Sequence, residues 1–493
     1  MDGLNYQTLQ NQGFNEYLLK EAPERVLQFG EGNFLRAFVD YFFDCMNEKG
    51  NFNGKIVVTQ PIAQGLAPML NEQEGLYTLF LRGSENGQKV NKKRVISSIS
   101  RCLNPYEDYA SLLRCADNPD LRFIVSNTTE AGITFDPSVK KDDAPPASFP
   151  GKLTAFLLKR FENKLPGFII LSCELIDHNG DELKKCVHKY IDLWGLSDEF
   201  RTWVDAENIF CSTLVDRIVP GYPRNEADSI CEELGYKDNL IDTGEVFGFW
   251  VIEGPQSIKD ELPFEKADLP IIVVDDVTPY KQRKVRILNG AHTSFIMAAY
   301  LSGQNIVRDC MKDEVIHGFM NKTIYDEVIP TLDLPKDNLM QFAADVTERF
   351  SNPYVDHLLL SISLNSASKW KARCMPSLLE YSKRNGGKLA ACLTFSFAAF
   401  IAFYHNGTEK GEACLKAKRG EDIYEIKDDQ WVLDFFYDHL GDSDEKLAKA
   451  VIGNEKMWDG ELEKLNGFTQ EVIKDLALIR EKGMYEALKQ VIS

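Results

Sequence analysis

Short runs of β-branched and aromatic residues alternate with helical stretches over the first half of the chain. Such alternation is typical of a mostly parallel sheet with helices on both faces. The runs that predict strands fall at residues 25–29, 55–59, 95–99, 121–126 and 167–173, with two later candidates at 246–252 and 269–274. The first half is therefore predicted to be an α/β unit.

The pattern changes near Asp275, and from Thr278 onward long helical patterns dominate while clear strands nearly vanish. Thr278 and Pro279 predict a helix start, with Thr as the N-cap and Pro at the first helical position. The boundary is predicted near 276. We expect a Rossmann-like domain over residues 1–276 and a mainly helical domain over 277–493, with the active site in the cleft between them.

Composition favours a globular chain, with 44% hydrophobic and 27% charged residues among 493. The longest apolar run, 389–404, is shorter than the ~18 residues of a membrane span, so we interpret it as a buried helix. The N-terminus lacks the pattern of a secretion signal. The 11 cysteines form no CxxC pair, which predicts reduced thiols and a cytoplasmic protein without a metal site.

The formal net charge is −19. A nucleic-acid-binding protein would normally present a basic face, so nucleic acid is not an expected partner. An anionic substrate would need a local basic site within this acidic chain.

Gly30 and Gly32 lie in a loop that follows the first predicted strand and precedes a helical stretch. A dinucleotide site needs this context, because small residues let the backbone approach the pyrophosphate and the helix N-terminus supplies N–H donors. The GxGxxG pattern is incomplete, since Leu35 stands at the third glycine position. A cofactor loop and an ordinary strand-to-helix turn both remain possible interpretations.

The end of the second predicted strand carries Gln60 and Pro61, where an acid that binds the cofactor ribose would be expected. No Arg follows closely to bind a 2′-phosphate, so NAD is preferred over NADP.

Segment 284–303 contains the most informative polar residues, Lys284, Asn289 and His292. His292 falls on an apolar stripe of helical period, and Asn289 lies three residues earlier on the same face. The stripe comprises Val285, Leu288, Phe295 and Ala299. Gly290 in mid-helix costs about 1 kcal/mol relative to Ala, which is easier to understand if a ligand or a backbone approaches it closely.

Each of these residues alone has a simpler interpretation, as a core histidine, a surface amide or a solvated lysine. Together they suit carbonyl reduction, in which negative charge develops on the substrate oxygen. A lysine can donate the proton and accept it in reverse, while Asn and His donors stabilise the alkoxide. We therefore predict Lys284, Asn289 and His292 as catalytic residues, with no metal.

The same three residues, spaced as Lys-x4-Asn-x2-His, resemble the signature of the polyol-specific long-chain dehydrogenases, the mannitol dehydrogenase family. The resemblance covers nearly the whole chain, and GEGNFLRA is similar to the family's GxGxFxRA cofactor loop. It implies a Rossmann domain followed by a helical domain, and NAD or NADP without a metal.

The resemblance also implies roles for residues outside the signature. The segment SNTTEAGI contributes Glu130 and LVDRIVP contributes Asp216, while RFSNPYVDH and SASKWKAR also resemble shared segments. The predicted cofactor contacts are Gly30, Gly32, Phe34, Arg36, Gln60 and Asn127. The predicted substrate contacts are Glu130, Glu174, Asp216, Lys369 and Arg373.

Within the family, LNGAHTS and LSCELIDHNG are most similar to members that act on keto sugar acids. Members that act on neutral polyols tend to carry an Asn at the position of Leu175 and an Arg near that of Ser361. The expected activity is therefore NADH-dependent, reversible reduction of D-tagaturonate to D-altronate. A substrate carboxylate needs a cation, for which Lys369, Lys371 and Arg373 are candidates.

Three alternatives remain open at this point. One is the sister activity on fructuronate and mannonate, and another is a mannitol-type polyol dehydrogenase. The third belongs to a different class, a non-catalytic sensor that binds nucleotide. We expect a cytoplasmic monomer with a small-molecule substrate and no membrane partner.

Overall fold

The computed structural model describes residues 1–85, 88–129 and 131–493. The chain forms two compact units. The first comprises Met1–Gly83 and Lys89–Val277, and the second comprises Thr278–Ser493 together with Ser84–Gln88.

The first unit is built on an eight-stranded sheet in the order β11-β10-β8-β7-β6-β1-β2-β5. Its neighbouring strands are parallel except for β8 and β10, which pair antiparallel. The six strands from β5 to β8 have the order of a doubly wound nucleotide-binding sheet, in which β1 and β6 flank the topological switch point. The strands of this unit are Glu24–Phe29 (β1), Lys55–Thr59 (β2), Tyr77–Glu85 (β3), Gln88–Ile96 (β4), Ile99–Leu103 (β5), Phe123–Ser126 (β6), Ile169–Ser172 (β7), Ile209–Asp216 (β8), Asp242–Glu245 (β9), Phe249–Glu253 (β10) and Ile271–Val274 (β11).

Hydrophobic cores cover both faces of this sheet. Alternate residues of β1 point to opposite faces, so Val26 belongs to one core and Leu27 and Phe29 to the other. This two-sided burial explains why most strands of the sheet are mainly apolar. The helices of the unit are Tyr6–Asn11 (α1), Asn33–Leu35 (α2), Tyr41–Gly50 (α3), Ala67–Glu72 (α4), Tyr109–Arg114 (α5), Phe149–Glu162 (α6), Asn179–Leu193 (α7), Asp198–Glu207 (α8), Ala227–Leu234 (α9) and Ile258–Glu261 (α10), with a π-helical turn at Arg36–Asp40 and a 3₁₀ turn at Cys115–Asp117.

The strand predicted at 95–99 is wrong in its bounds. The run is divided at Ser97 and Ser98, which separate β4 from β5. β4 belongs to a separate sheet of order β4-β3-β9, while β5 closes one edge of the large sheet. The Ser97 N–H donates to Asp44 Oδ1 at 2.9 Å, so a tertiary contact breaks the strand there.

The second unit is mainly helical, as predicted. Its helices are Thr278–Arg283 (α11), Gly290–Leu301 (α12), Val307–Cys310 (α13), Glu314–Lys322 (α14), Lys336–Phe350 (α15), Leu359–Ile362 (α16), Ser366–Arg373 (α17), Met375–Arg384 (α18), Ala391–His405 (α19), Gln430–Asp438 (α20), Asp444–Ile452 (α21), Glu455–Trp458 (α22), Phe468–Lys482 (α23) and Met484–Ile492 (α24). π-Helical turns occur at Lys284–Asn289 and Thr323–Val328, and 3₁₀ turns at Ile329–Thr331 and Leu462–Lys464. An antiparallel sheet of Gly407–Gly411 (β12), Cys414–Arg419 (β13) and Asp422–Ile426 (β14) was not expected.

Two of these helices form the centre of the second unit. The run predicted as a buried helix is α19, which packs against α12. α12 is buried on every side from Gly290 to Tyr300, so the predicted one-sided stripe is wrong for this segment. In the described ranges no helix is long and apolar enough to cross a membrane. The 11 cysteines are all free and buried.

Candidate functional site

The glycine loop follows β1 at the switch point of the large sheet. Gly30 has φ +125°, and its N–H donates to the carbonyl of Thr59 at 3.0 Å. A Cβ atom at Gly30 would lie 3.0 Å from the carbonyl oxygen of Asn127 and from Leu35 Cδ1. The backbone conformation and the close approach of the neighbouring strand end both favour glycine here.

Gly32 precedes α2 with φ −68° and ψ 167°, a conformation open to any residue. A Cβ atom there would meet nothing within 4 Å, and the residue is exposed. The loop therefore presents an uncovered backbone at the carboxyl end of the sheet, which is where a dinucleotide pyrophosphate binds in folds of this type.

Gln60 and Asn127 lie at the ends of the two strands beside β1. The Asn127 N–H donates to the carbonyl of Phe29 at 3.1 Å, and its Nδ2 donates to that of Cys173 at 3.2 Å. Gln60 is buried, and its Nε2 donates to the carbonyls of Ile62 and Ala63. Both residues thus shape loops at the edge where the cofactor is predicted.

Phe34 and Arg36 leave the loop in different directions. Phe34 is partly buried and stacks on Phe38, with ring centroids 5.2 Å apart. Arg36 is only 2% exposed, and its guanidinium donates to Asn33 Oδ1 and to the Leu240 carbonyl, each at 2.5 Å.

Of the substrate contacts predicted in the first unit, Glu130 lies outside the described residues. Glu174 is buried and accepts hydrogen bonds from the backbone N–H and the hydroxyl of Thr128 at 3.0 Å, and from the hydroxyl of Ser126 at 3.1 Å. Burial raises its pKa, and these donors lower it. Asp216 is buried as the last residue of β8 and pairs with Phe249 of β10.

In the second unit, Lys284 and Asn289 are the first and last residues of a π-helical turn between α11 and α12. Both are half-buried. π-Helical turns are rare and are frequently found at functional sites. Because this turn is π-helical, the spacing assumed for a regular α-helix does not hold between Lys284 and Asn289. Gly290 follows at once, and a Cβ atom there would lie 3.4 Å from the carbonyl oxygen of Arg373, which is at the limit of ordinary van der Waals contact.

His292 lies in the first turn of α12 and is 8% exposed. Its ring stacks on Phe350 and meets His357 edge-on. Burial lowers the pKa of His292 well below its usual value, and the charges of His357 and Arg373 lower it further. The imidazole is therefore neutral near pH 7, and its Nε2 has no hydrogen-bond partner among the residues that the structure describes.

Three cations surround this histidine closely enough to lower its pKa, namely Arg349, Lys369 and Arg373. Arg373 Nη1 donates to the hydroxyl of Thr293 at 3.3 Å, and Lys369 Nζ donates to the carbonyl of Ile362 at 2.9 Å. Burial lowers the pKa of both Lys369 and Arg373. Lys371, on the same helix, instead pairs with the exposed Asp459 at 2.7 Å.

His357 and Arg349 were not predicted as site residues, although RFSNPYVDH spans both. Neither has a local spacing that points to His292, because α12 and this segment meet only through tertiary packing. In the described ranges no group of three or more His, Cys, Asp or Glu side chains could hold a metal ion.

Two family models match the chain. The mannitol dehydrogenase Rossmann domain matches residues 24–266, and the mannitol dehydrogenase C-terminal domain matches residues 276–480.

Curated relatives match nearly the whole chain. An altronate oxidoreductase of Enterobacter sp. (strain 638) is 45% identical over 480 residues, covering 95% of this chain and 97% of that protein. An altronate oxidoreductase of Bacteroides thetaiotaomicron is 44% identical over 476 residues, covering 96% and 98%.

Solved structures share the fold at lower identity. A substrate-free D-sorbitol dehydrogenase aligns with TM-score 0.81 and 23% identity, over 98% of this chain and all of its own. Mannitol 2-dehydrogenase of Pseudomonas fluorescens, in a ternary complex with NAD and D-mannitol, aligns with TM-score 0.70 and 22% identity, over 99% of each chain.

Proposed function

The chain belongs to the mannitol dehydrogenase family, and we propose that it catalyses the reversible, NAD-dependent reduction of D-tagaturonate to D-altronate. The observation that carries the substrate class is the group of Arg349, Lys369 and Arg373 around His292 in a chain of net charge −19. Such a concentration of cations beside the catalytic signature suits a substrate that carries a carboxylate. The altronate oxidoreductases that match this chain at 44–45% identity support the same substrate.

The glycine loop fits a dinucleotide. Gly30 brings the backbone close to the end of β6, and the uncovered Gly32 leaves room for a pyrophosphate before α2. We assign Gly30, Gly32, Phe34, Gln60 and Asn127 to the cofactor, which supplies or accepts the hydride when bound. Arg36, the sixth predicted contact, is only 2% exposed, so we do not assign it as a direct contact.

NAD rather than NADP is favoured by the segment after β2. Gln60 is hydrogen-bonded within its own loop, and residues 60–81 contain neither Arg nor Lys to bind a 2′-phosphate. The 2′-phosphate of NADP would therefore find no cation to bind it in this segment.

Lys284 acts as the acid and base of the reaction. In the reducing direction its ammonium group donates a proton to the carbonyl oxygen of the substrate as the hydride reaches the carbonyl carbon. In the oxidising direction its neutral amine removes the proton from the substrate hydroxyl.

Asn289 and His292 stabilise the oxygen that becomes negative. A neutral imidazole can still donate one N–H, and the unpartnered Nε2 of His292 is free for that role in the appropriate tautomer. Lys369 and Arg373 bind the substrate carboxylate, and Asp216, Glu130 and Glu174 remain proposed substrate contacts.

The test is the initial rate of NADH oxidation near pH 7 with tagaturonate, fructuronate and fructose in parallel, each repeated with NADPH. A clear preference for tagaturonate with NADH is expected. Activity on fructuronate or fructose would keep the Lys284 chemistry but reject the substrate. Intact nucleotide binding without turnover of any substrate would favour the sensor.

A cytoplasmic location and a monomeric state stay predictions. Eleven free thiols suit a reducing compartment. Sedimentation equilibrium of the purified chain would settle the oligomeric state.

A further inference from the structure

A group of buried charged side chains lies next to the glycine loop, and we call it the Arg36 cluster. It consists of Arg36, Asp40 and Asp242, with exposed fractions of 2%, 0% and 0%. Arg36 and Asp40 are the first and last residues of the π-helical turn that follows α2, and Asp242 begins β9. Buried charges are costly unless they are paired, so a group of this kind needs an explanation.

The Arg36 cluster is tied directly to the start of the cofactor loop. Arg36 Nη2 donates to Asn33 Oδ1 at 2.5 Å and lies 3.8 Å from Asp242 Oδ2. Its Nη1 donates to the carbonyl of Leu240, two residues before Asp242. One guanidinium thus joins the N-terminus of α2 to the strand β9 of a different sheet.

Two neighbours complete the attachment. Gln28 on β1 is buried, and its Nε2 donates to the carbonyl of Gly30 at 3.0 Å. The hydroxyl of Tyr77 donates to the backbone carbonyl of Arg36 at 2.7 Å, and the guanidinium lies over the Tyr77 ring. The loop is therefore held at Gly30, Asn33 and Arg36.

We propose that Arg36 is a positioning residue, held by Asp242 and Asn33, which fixes the glycine loop in the conformation that binds the pyrophosphate. The proposal rests on the proposed function, since it assumes that this loop binds NAD. A guanidinium that is 2% exposed, with both terminal nitrogens donating to protein oxygens, acts on the cofactor through the loop and not by touching it.

The charges around Arg36 support this role. Burial raises the pKa of Asp40 to about 8 and that of Asp242 to about 7, while Arg36 lowers both. Asp242 and Tyr77 also face Asp40, and Asp238 faces Asp242. Arg36 therefore favours the ionised form of both carboxyls and offsets part of the cost of burying them.

The experiment compares NADH affinity, from the fluorescence of bound NADH, with thermal stability for the full chain. Asp242→Asn removes the anionic partner of Arg36 at nearly constant volume, and Asn33→Ala removes its contact with α2. Arg160→Lys is the matched control, because Arg160 is an equally buried arginine that donates to the carbonyls of Ala116, Asn118, Leu121 and Pro166.

Asp242→Asn and Asn33→Ala are both expected to weaken NADH binding about tenfold or more, since a loosened loop must be ordered by the ligand. Arg160→Lys should lower the melting temperature but leave NADH affinity unchanged. The KM for NADH should rise in the two cluster variants with little change in kcat.

Two results would overturn the proposal. One is unchanged NADH affinity in both cluster variants at lowered stability, which would make the cluster purely structural. The other is tighter binding in Asp242→Asn, which would mean that the released guanidinium contacts the cofactor directly. Asn33→Ala keeps the test available if Asp242→Asn does not fold. If the wild-type chain does not bind NADH, the proposed function itself is rejected.

Discussion

The imidazole of His292 stacks on the phenyl ring of Phe350, with centroids 4.0 Å apart and planes inclined by 14°. His357 meets the same imidazole edge-on at 5.2 Å. α12, the end of α15 and the loop before α16 therefore fix one ring from three directions. A donor held in this way can be aimed at a developing charge without reorganisation during the reaction.

The neutral state of His292 should make the protein sensitive to acid. Its folded pKa is lowered, so below the unfolded value of about 6.5 the unfolded chain takes up a proton that the folded chain refuses. The stability linked to His292 is therefore present above that pH and lost as the pH falls below it. Between pH 7 and 5.5, thermal denaturation should show a smaller loss of melting temperature for His292→Asn than for wild type. Parallel curves for the two proteins would contradict this.

The cations on α17 should act on the carboxylate of the substrate and not on its reacting carbon. Arg373→Met and Lys369→Met should each raise the KM for tagaturonate about 10- to 100-fold, the range for loss of a charged hydrogen bond. Any slow turnover of fructose, which lacks the carboxylate, should change little. Lys371→Met is the control on the same helix, because Lys371 pairs with the exposed Asp459. Equal losses on both substrates would show that the change disturbs α17 as a whole.

Removal of the Lys284 amine should separate chemistry from binding. Lys284→Ala should lower kcat by about 10²- to 10⁴-fold, the usual contribution of a general acid–base group. NADH binding should be retained, because the glycine loop lies in the first unit. Stopped-flow turnover and fluorescence titration of the same sample would measure both quantities. Turnover near the wild-type rate would remove Lys284 from its assigned role.

Most of the large sheet was predictable because β1, β2, β6, β7, β10 and β11 are short, mainly apolar runs between polar segments. Strand β8 was not predicted, because Ser212, Thr213 and Asp216 interrupt its apolar residues. The mainly helical second unit was predictable because its segments show helical periodicity. The division of the run 95–99 was not predictable. Ser97 and Ser98 interrupt the strand through contacts with Asp44 and with the carbonyl of Asp40, and both partners are distant in the sequence.

Candidate site residues could be proposed one by one from the sequence only where a local spacing existed. Lys284, Asn289 and His292 form such a motif, but the π-helical turn that changes their spacing has no sequence signal. Arg349 on α15 and His357 in the loop before α16 reach His292 only through tertiary packing. The burial of Arg36 beside Asp242 likewise depends on β9, more than 200 residues later in the chain.

The two loop glycines should respond differently to the same substitution. Gly30→Ala places a Cβ at positive φ and 3.0 Å from the Asn127 carbonyl, so it should cost about 1–3 kcal/mol of unfolding free energy as well as NADH affinity. Gly32→Ala meets nothing within 4 Å, so its stability should stay within about 0.5 kcal/mol of wild type. The methyl group added by Gly32→Ala would nevertheless obstruct a pyrophosphate that approaches the loop. Unchanged NADH affinity in Gly32→Ala would show that the cofactor lies elsewhere.

Asp40 should make the folded protein less stable as the pH rises. Its pKa is raised to about 8, so above the unfolded value of about 3.9 the folded chain holds a proton that the unfolded chain has released. The resulting loss of stability grows up to about pH 8, because folding must keep the buried carboxyl neutral or bury its charge. Asp40→Asn has the same shape without the proton, so its free energy of unfolding at pH 8 should exceed that of wild type by roughly 2–4 kcal/mol. The difference should shrink toward pH 5 in urea denaturation, and a variant less stable than wild type at pH 8 would show that the Asp40 carboxylate is stabilised by Arg36 instead.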